Sequence, residues 1–243
     1  MAADFQGKVA LITGVGRVGQ IGHAVARGLG RGGAKLLLAD VNAVGLADRV
    51  KEFGAEGIAA KASAGDLTQP GAARQAVAAA QAQFGGIDIV VNVAGGFFSY
   101  GPFTEVTPET LDRELSVNFK TAFFTCQAAV PALLTRGGGG SIVNFASIAA
   151  VRSLMHMAAY SASKSAVAGL TRALAREYRD AGIRVNAVAP ATVRTADNVA
   201  QMQSDPKTPF VEIEEVVQTV LFLASDAASA ITGQIVPITG KAY

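Results

Sequence analysis

The chain has 243 residues, of which 50% are hydrophobic and 16% charged, and its net charge is +2. This length and composition predict a single domain over residues 1–243 with a large apolar core. This net charge is too small to place the chain among the strongly basic proteins that bind nucleic acid or a membrane surface. No apolar run reaches membrane-spanning length, and no secretory signal is expected. The one cysteine, Cys126, lies in an apolar stretch typical of a buried thiol in a reducing compartment, which predicts a cytoplasmic protein.

Short apolar runs alternate with amphipathic stretches along the chain. This alternation predicts an α/β fold, a doubly wound, Rossmann-like parallel sheet with helices on both faces. The expected strands begin near Val9, Lys35, Ile58, Ile87, Ser141, Arg184 and Gln234. The expected helices cover residues 21–32, 43–53, 70–84, 109–135, 157–181 and 212–224. Ligands of such folds bind beyond the carboxyl ends of the strands, where this sequence places Gly14, Asp40, Asp66, Asn92, Ser147 and Pro190.

A glycine-rich turn joins the first expected strand to the first expected helix, with glycines at positions 14, 16, 19 and 22. Backbone amides at such a helix N-terminus can hold a pyrophosphate, so the turn predicts a dinucleotide site. The second expected strand ends at Asp40, whose carboxylate suits hydrogen bonds to the adenosine ribose and predicts a preference for NAD over NADP. Arg17 leaves NADP possible, because its guanidinium could bind a 2′-phosphate, and a solvated loop arginine is the alternative interpretation.

Three side chains in the middle of the sequence predict acid/base chemistry. Tyr160 and Lys164 are four residues apart and share one face of an expected helix. The positive charge of Lys164 favours the phenolate and is expected to lower the pKa of Tyr160. Ser147 follows an apolar run, so its hydroxyl is expected at the carboxyl end of a buried strand. A Tyr-x-x-x-Lys pair alone can arise by chance, and it gains meaning only together with the dinucleotide motif.

In chain order, these motifs and several others resemble those of the short-chain dehydrogenase/reductase family over nearly the whole length of the chain. The matching segments are Thr13-Gly14, Gly65-Asp66-Leu67-Thr68, Asn92-Val93-Ala94-Gly95, Val117-Asn118-Phe119, Ser147 with Tyr160 and Lys164, Arg184-Val185-Asn186-Ala187-Val188-Ala189-Pro190, and Ile231-Thr232-Gly233-Gln234. The resemblance implies an NAD(P)-dependent oxidoreductase that transfers a hydride between nicotinamide and a carbonyl or secondary alcohol, similar to the 3-oxoacyl-carrier-protein reductase-like members. It also implies a homodimer or homotetramer built on the two long expected helices.

The resemblance further implies a role for each matching residue. Tyr160 would be the acid in reduction and the base in oxidation, Ser147 would orient the substrate oxygen, and Lys164 would bind the nicotinamide ribose. Asn118 would hold a water that links Lys164 to solvent. The implied cofactor contacts are Gly14, Gly19, Ile21, Asp40, Asp66, Leu67, Asn92, Ala94, Gly95, Tyr160, Lys164, Pro190, Val193 and Thr195.

One departure from the family pattern concerns the glycine-rich turn, which is two residues longer here and has the length found in enoyl-carrier-protein reductases. Those enzymes place their tyrosine seven residues before the lysine, where this chain has Met157. Carbonyl or alcohol chemistry is therefore expected, with enoyl reduction as an alternative suggested by the turn alone. A dinucleotide-sensing regulator without turnover is another alternative, although sensing needs no proton donor such as Tyr160.

A second departure is the stretch near residues 196–208, which is mostly polar and short for a substrate lid of this family. Because it has little apolar surface to offset its conformational entropy, it is expected to be mobile. A short lid also predicts an open site suited to a bulky substrate, unless a neighbouring subunit covers it.

Several residues around the expected site have two interpretations. Phe97 and Phe98 could line a substrate pocket or merely pack within their loop. Asp66 could contact adenine or merely cap a turn with Thr68. The two histidines lack the spacing of metal ligands, so no metal site is expected.

Overall fold

The computed structural model describes residues 4–152, 154–201 and 209–240. The strands in these ranges are β1 Val9–Thr13, β2 Lys35–Asp40, β3 Ala60–Ala64, β4 Ile89–Asn92, β5 Gly140–Phe145, β6 Ile183–Pro190 and β7 Ile235–Ile238. They form one parallel sheet in the order β3-β2-β1-β4-β5-β6-β7. The prediction of a doubly wound parallel sheet is therefore confirmed.

Helices cover both faces of this sheet. They are α1 Ile21–Arg31, α2 Ala43–Ala55, α3 Pro70–Phe84, α4 Pro108–Leu115, α5 Thr121–Arg136, α6 Ala158–Glu177, α7 Ala196–Gln201 and α8 Ile213–Ala224. A π-helical turn, Ser116–Lys120, joins α4 to α5. One buried apolar cluster lies under α1, α2 and α8, and a second lies under α3, α5 and α6. None of the helices in the described ranges combines the length and the apolar character that a bilayer span requires.

The central strands are apolar along their whole length because both of their faces are covered. In β1, Ala10 and Ile12 belong to the first cluster, while Leu11 between them belongs to the second. Leu11 stands in register with Leu37 of β2 and Val90 of β4, and all three side chains are fully buried. Each buried aliphatic side chain of this size contributes roughly 1.5–3 kcal/mol of transfer free energy, which makes these strands a rigid base for the site.

The strand order reverses between β1 and β4. From β1 the chain builds outward through β2 and β3, and it then returns to place β4 on the other side of β1. Loops that follow β1 and β4 therefore leave the sheet in opposite directions and open a crevice at its carboxyl edge. The glycine-rich turn follows β1, and Val93 to Gly95 follow β4, so the predicted cofactor residues meet at this crevice.

Three details differ from the sequence-based expectation. The helix expected over 109–135 is interrupted by the π-helical turn between α4 and α5. The third strand begins at Ala60, because Ile58 is buried in the preceding loop against α1, where a Cβ on Gly30 would overlap its side chain. The first part of the expected lid, residues 196–201, forms the helix α7. Residues 202–208 lie outside the described part of the chain, so the mobility expected over 196–208 stays a prediction.

Candidate active site

A cavity of about 710 Å³ opens at the carboxyl edge of the sheet, where the strand order reverses. Seven of the residues predicted to bind the cofactor line it, namely Gly14, Ile21, Asp40, Asp66, Leu67, Ala94 and Gly95. Its size and its place at the switch point of the sheet suit a dinucleotide.

The glycine-rich turn brings the ends of β1 and β4 into close contact. Gly14 has a φ of 74°, and a Cβ at this position would lie 2.8 Å from the backbone nitrogen of Ala94. That nitrogen donates to the Thr13 Oγ1 at 3.0 Å, which fixes the two strand ends side by side. Gln20 precedes α1 and makes no side-chain capping bond. The first amides of α1 therefore have no N-cap side chain competing for them, which fits the pyrophosphate of a dinucleotide.

Asp40 is held at the end of β2 by two backbone amides. Its Oδ2 accepts from the nitrogen of Gly16 at 2.8 Å and its Oδ1 from that of Asn42 at 2.9 Å. Arg17, which also lines the cavity, pairs with Asp197 of α7 at 2.6 Å. The guanidinium is thus engaged with the expected lid, and neither of its two interpretations from the sequence included this partner.

The side chains of Ser147, Tyr160 and Lys164 meet beyond the end of β5. Ser147 is hydrogen-bonded to Tyr160, and its Oγ also accepts from the nitrogen of Ala149 at 3.2 Å. Lys164 Nζ lies 5.9 Å from the centre of the Tyr160 ring and donates to the carbonyl oxygen of Phe145 at 2.9 Å. The spacing seen in the sequence therefore corresponds to one cluster of hydroxyl, phenol and ammonium groups.

The electrostatics of this cluster differ from the sequence-based expectation. Burial raises the pKa of Tyr160 above its ordinary value, the hydrogen bond from Ser147 lowers it in part, and the charge of Glu114 raises it further. Burial also lowers the pKa of Lys164 to about 8, which Glu114 opposes. The prediction that the pKa of Tyr160 is lowered is wrong for the chain by itself, because desolvation of the phenol outweighs the hydrogen bond from Ser147.

Asn118 and Glu114 complete the surroundings of Lys164. Asn118 lies in the π-helical turn, donates through Nδ2 to Glu114 Oε2 at 2.8 Å, and accepts through Oδ1 from the nitrogen of Gly96 at 3.0 Å. A Cβ on Gly95 would come within 2.8 Å of Asn118 Oδ1 and 3.2 Å of Lys164 Nζ. Glycine at position 95 therefore leaves room for these two side chains to approach each other. Sequence reasoning missed Glu114, although its place one helical turn before Asn118 was a signal.

The two phenylalanines after β4 have different environments. Phe97 is 45% exposed, and its ring stands edge-on to the Tyr160 ring with the centres 5.1 Å apart. Phe98 packs within the loop, because its ring lies next to Gly96 and beneath the Arg113 guanidinium, 4.1 Å from it. Phe98 therefore packs within its loop, and the substrate-pocket interpretation stays a prediction for Phe97.

Asn92 is the predicted cofactor residue whose side chain is directed elsewhere. Its Nδ2 donates to Asn144 Oδ1 at 2.8 Å and to Cys126 Sγ at 3.3 Å, and the side chain is buried. Asn144 in turn donates to the hydroxyl of Thr171 at 3.0 Å. The Asn92 side chain therefore ties β4 and β5 to the helices behind them and makes its bonds inside the protein.

Four further predicted cofactor residues, Gly19, Pro190, Val193 and Thr195, are not among the residues that line the cavity. Pro190 ends β6, and Val193 beyond it forms a bridge with Val211. Thr195 is buried and accepts through Oγ1 from the nitrogen of Asn198 at 3.2 Å. The carbonyl oxygen of Gly19 accepts from the nitrogen of Ala196 at 3.2 Å, which joins the glycine-rich turn to α7.

Asp66 caps its turn, as one of its two interpretations expects, and the adenine contact stays a prediction. Its Oδ1 accepts from the nitrogen of Thr68 at 2.9 Å, so it caps the turn after β3, and it also borders the cavity. Elsewhere in the described ranges, no group of three or more His, Cys, Asp or Glu side chains is placed to hold a metal ion.

Comparison with known proteins gives the chain relatives over its full length. Residues 14–240 match the family described as Enoyl-(Acyl carrier protein) reductase. A cyclohexanol dehydrogenase from an Acinetobacter species is 35% identical over 245 residues, which is 99% of this chain and 96% of that protein.

Solved structures agree with this result. A short-chain type dehydrogenase/reductase from Mycobacterium ulcerans superposes with a TM-score of 0.91 at 34% identity, covering 98% of this chain and 90% of that one. A gluconate 5-dehydrogenase from Burkholderia cenocepacia, in complex with NADP and tartrate, gives a TM-score of 0.90 at 31% identity, covering 98% and 95%.

Relatives named as dehydrogenases favour carbonyl or alcohol chemistry over the enoyl reduction that the long turn suggested, and over a regulator without turnover. The glycine-rich crevice fits a dinucleotide, and a phenol, an ammonium and a hydroxyl meet beside it. The chain belongs to the short-chain dehydrogenase/reductase family and is an NAD(P)-dependent oxidoreductase.

Proposed function

We propose that the chain interconverts a secondary alcohol and a carbonyl compound with Tyr160 as the acid/base. The observation that carries this proposal is the hydrogen-bonded pair of Ser147 and Tyr160 with the Lys164 ammonium beside the phenol. The nicotinamide of the bound cofactor supplies the hydride acceptor in oxidation and the hydride donor in reduction.

The residues of the chain handle the proton and orient the substrate. Ser147 hydrogen-bonds the substrate oxygen, and Tyr160 gives that oxygen a proton in reduction or takes its proton in oxidation. Burial raises the pKa of Tyr160 above its ordinary value, which favours the protonated phenol that donates in reduction. An ammonium has three N–H donors, and the bond to Phe145 uses one of them. Two donors of Lys164 are left for the nicotinamide ribose and for the water assigned to Asn118.

We also propose that NAD is the preferred cofactor. Asp40 lines the cavity with its carboxylate held by two amides, and a negative charge beside the adenosine ribose would repel the 2′-phosphate of NADP. Arg17 is paired with Asp197, so binding a 2′-phosphate would require this ion pair to break. The gluconate 5-dehydrogenase structure contains NADP, so the preference has to be measured on this chain.

The substrate proposed for this site carries a bulky apolar group. Large apolar side chains are exposed in the segment after β4 and in the one before α6: Phe97 is 45% exposed, Tyr100 69%, Phe103 77% and Met155 80%. Phe97 meets the Tyr160 ring directly, so an apolar group attached to the reacting carbon would gain contact area there. A relative named for cyclohexanol supports a cyclic secondary alcohol or ketone.

Turnover of a substrate panel tests this function. Purified protein is assayed with NAD and secondary alcohols that range from small acyclic to cyclic and aryl-substituted compounds. We expect turnover that rises with apolar bulk, and a loss of at least about 10²-fold in Tyr160→Phe with cofactor binding retained. Tyr178→Phe, at the far end of α6, is the matched control. Absence of turnover across the panel would contradict the function, and efficient use of the smallest alcohols alone would contradict the bulky substrate.

The assembly and location proposed are a cytoplasmic homodimer or homotetramer with one domain per chain. Three aromatic side chains form a partly exposed row along the π-helical turn and the start of α5, with ring centres 5.6 and 5.7 Å apart: Phe119, Phe123 and Phe124. Such a row supports an interface on the long helices. Light scattering on the protein as it elutes from a size-exclusion column measures the number of chains in the assembly.

Burial raises the pKa of Cys126 to about 12, which keeps the thiol protonated and supports a structural role in a reducing compartment.

A further inference from the structure

A fully buried carboxylate, Glu114, stands beside the proposed catalytic pair. It belongs to α4, which packs against α6, the helix of Tyr160 and Lys164, and its exposed fraction is 0%. Carboxylates are almost never buried completely unless they are paired and hydrogen-bonded. The neighbours of Glu114 therefore explain why it is there.

Glu114 accepts three hydrogen bonds from two segments. Oε1 accepts from the nitrogen of Phe98 at 2.8 Å and from Ser99 Oγ at 3.0 Å. Oε2 accepts from Asn118 Nδ2 at 2.8 Å. The Phe98 and Asn118 partners are N–H donors, one on each oxygen, so Glu114 uses both oxygens as acceptors. One carboxylate thus joins the loop after β4 to the π-helical turn.

Each of these segments contacts the proposed catalytic pair on a different side. The loop carries Phe97, whose ring meets the Tyr160 ring on the substrate side. The π-helical turn carries Asn118, whose Oδ1 comes close to Lys164 Nζ around Gly95. Movement of Glu114 would therefore displace both the substrate side and the lysine side of the phenol.

The charge of Glu114 also acts on both titrating groups. It favours the ammonium and so raises the pKa of Lys164 against burial, and it disfavours the phenolate and so raises the pKa of Tyr160. Within the described ranges, the other groups that contact the pair are neutral, namely the Phe145 carbonyl at the end of β5, the Ser147 hydroxyl beyond it and the amide of the π-helical turn. Arg113, the neighbouring cation on α4, lies over the ring of Phe98.

We propose that Glu114 is a positioning residue whose carboxylate holds the loop of residues 96–99 and the Asn118 amide around Tyr160 and Lys164. This inference rests on the proposed alcohol–carbonyl chemistry. Its negative charge also keeps the phenol in its protonated form up to a higher pH, so the site is poised to donate a proton.

The test compares Glu114→Gln with Asp112→Asn, an isosteric loss of charge at an exposed position of the same helix. Glutamine keeps the shape, but it offers one acceptor oxygen where the carboxylate offers two, and it removes the charge. We expect kcat to fall roughly 10-fold to 100-fold in Glu114→Gln, as expected for a displaced reacting geometry. We also expect the pH midpoint of alcohol oxidation to move down by at least about half a unit, because the pKa of Tyr160 falls. Asp112→Asn should change neither quantity.

Two results would overturn the inference. One is a Glu114→Gln variant that matches Asp112→Asn in both kcat and pH midpoint. The other is a loss of kcat with an unmoved midpoint, because a role in folding alone lowers activity without shifting the titration of Tyr160.

Two readouts work without turnover and separate this inference from the proposed function. A pH titration followed by ultraviolet absorbance reports tyrosine ionisation, and subtraction of the titration of Tyr160→Phe leaves the signal of the Tyr160 phenol. This phenol should ionise at lower pH in Glu114→Gln. Amide exchange of Phe98 should be faster in the same variant. An unmodified chain that turns over no panel alcohol contradicts the proposed function, and these readouts still decide the role of Glu114. If Glu114→Gln fails to fold, Ser99→Ala is the substitute, because it removes only one of the hydrogen-bond donors to Glu114. Unchanged amide exchange at Phe98 in the Ser99→Ala variant would overturn the proposal.

Discussion

Substitution of Asp40 tests the cofactor preference at the residue expected to set it. The carboxylate lines the cavity and accepts from the amides of Gly16 and Asn42 at 2.8 and 2.9 Å. A carboxylate offers about four lone-pair sites, so roughly two are left after these bonds. Both ribose hydroxyls of adenosine can therefore donate to Asp40 while the turn stays in place.

The size of the effect follows from the charge of the acceptor. Hydrogen bonds to a charged group contribute about 1.5–3 kcal/mol, so Asp40→Ala should weaken NAD binding by roughly 10-fold to 150-fold. The same change removes the repulsion of a 2′-phosphate, so the ratio of the NADP Kd to the NAD Kd should fall. Asp40→Asn removes the charge and keeps one acceptor oxygen, so it should lose less NAD affinity while the ratio still falls.

Fluorescence titration with NADH and NADPH measures these ratios directly. Asp48→Asn, which changes an exposed carboxylate on α2, is the matched control and should bind like the unmodified protein. Tighter binding of NADPH than of NADH by the unmodified protein would refute the reasoning. It would mean that Arg17 exchanges Asp197 for a 2′-phosphate more readily than the geometry of the pair suggests.

Two further predictions concern stability. Gly14→Ala should lower the free energy of unfolding by roughly 1–3 kcal/mol, because the φ of Gly14 is 74° and a Cβ there would lie 2.8 Å from a backbone nitrogen. The control is Gly54→Ala, at a helical position with open space around it, which should be neutral or stabilising by up to about 1 kcal/mol. Equal losses of stability in thermal melts of the two variants would contradict this prediction. Burial lowers the pKa of Lys164 from 10.5 to about 8. Below pH 8 the lysine is charged in both states, and only the folded state bears the cost of desolvating that charge. Between pH 8 and 10.5 the lysine is neutral in the folded state and charged in the unfolded state. Unfolding free energy relative to Lys164→Met should therefore rise by about 3 kcal/mol as pH rises through this window, and urea titrations that show no rise would contradict it.

The order of strands and helices was predictable because the patterns were long and consistent. The run of β1 is apolar at every position before the glycine-rich turn, and a sheet covered on both faces requires such runs. The sequence places Ile58 at the start of a strand, whereas the structure places it in a loop. The two cannot be told apart from the sequence, because a residue buried in a loop and one buried in a strand are equally apolar. The π-helical turn around Asn118 has no marker in the sequence, since its residues are those of an ordinary helix.

The site was predictable where a motif dictated geometry, and less so where burial decided it. Tyr160 and Lys164 face each other because four residues make one helical turn. The direction of the Tyr160 pKa shift depends on how deeply the phenol is set, which the spacing does not contain. The burial of Glu114 does not follow from its sequence context, because it depends on the loop after β4, which packs against this face of α4. Asn92 matched the family motif, yet its side chain lies within the protein interior.

Helix α7, the first part of the expected lid, is attached to the glycine-rich turn at two points. Ala196 donates its backbone N–H to the Gly19 carbonyl at 3.2 Å, and Asp197 pairs with Arg17 at 2.6 Å. Both partners of the ion pair are substantially exposed, so the pair contributes only about 0–1 kcal/mol. The order of α7 should therefore depend mainly on how firmly the turn itself is held.

NAD binding should fix the turn, because the pyrophosphate is expected at its backbone amides. We predict that NAD slows amide exchange over residues 196–201 by roughly tenfold or more, since the carbonyl of Gly19 is then held in place for α7. Arg17→Ala should accelerate exchange there by less than about fivefold in the NAD-free protein, which corresponds to the weak ion pair. Arg31→Ala, which breaks an exposed ion pair with Glu56 at the far end of α1, is the control. Exchange that is equally slow with and without NAD would show that α7 is held independently of the turn, and the mobile lid expected from its polar sequence would then be wrong for this segment.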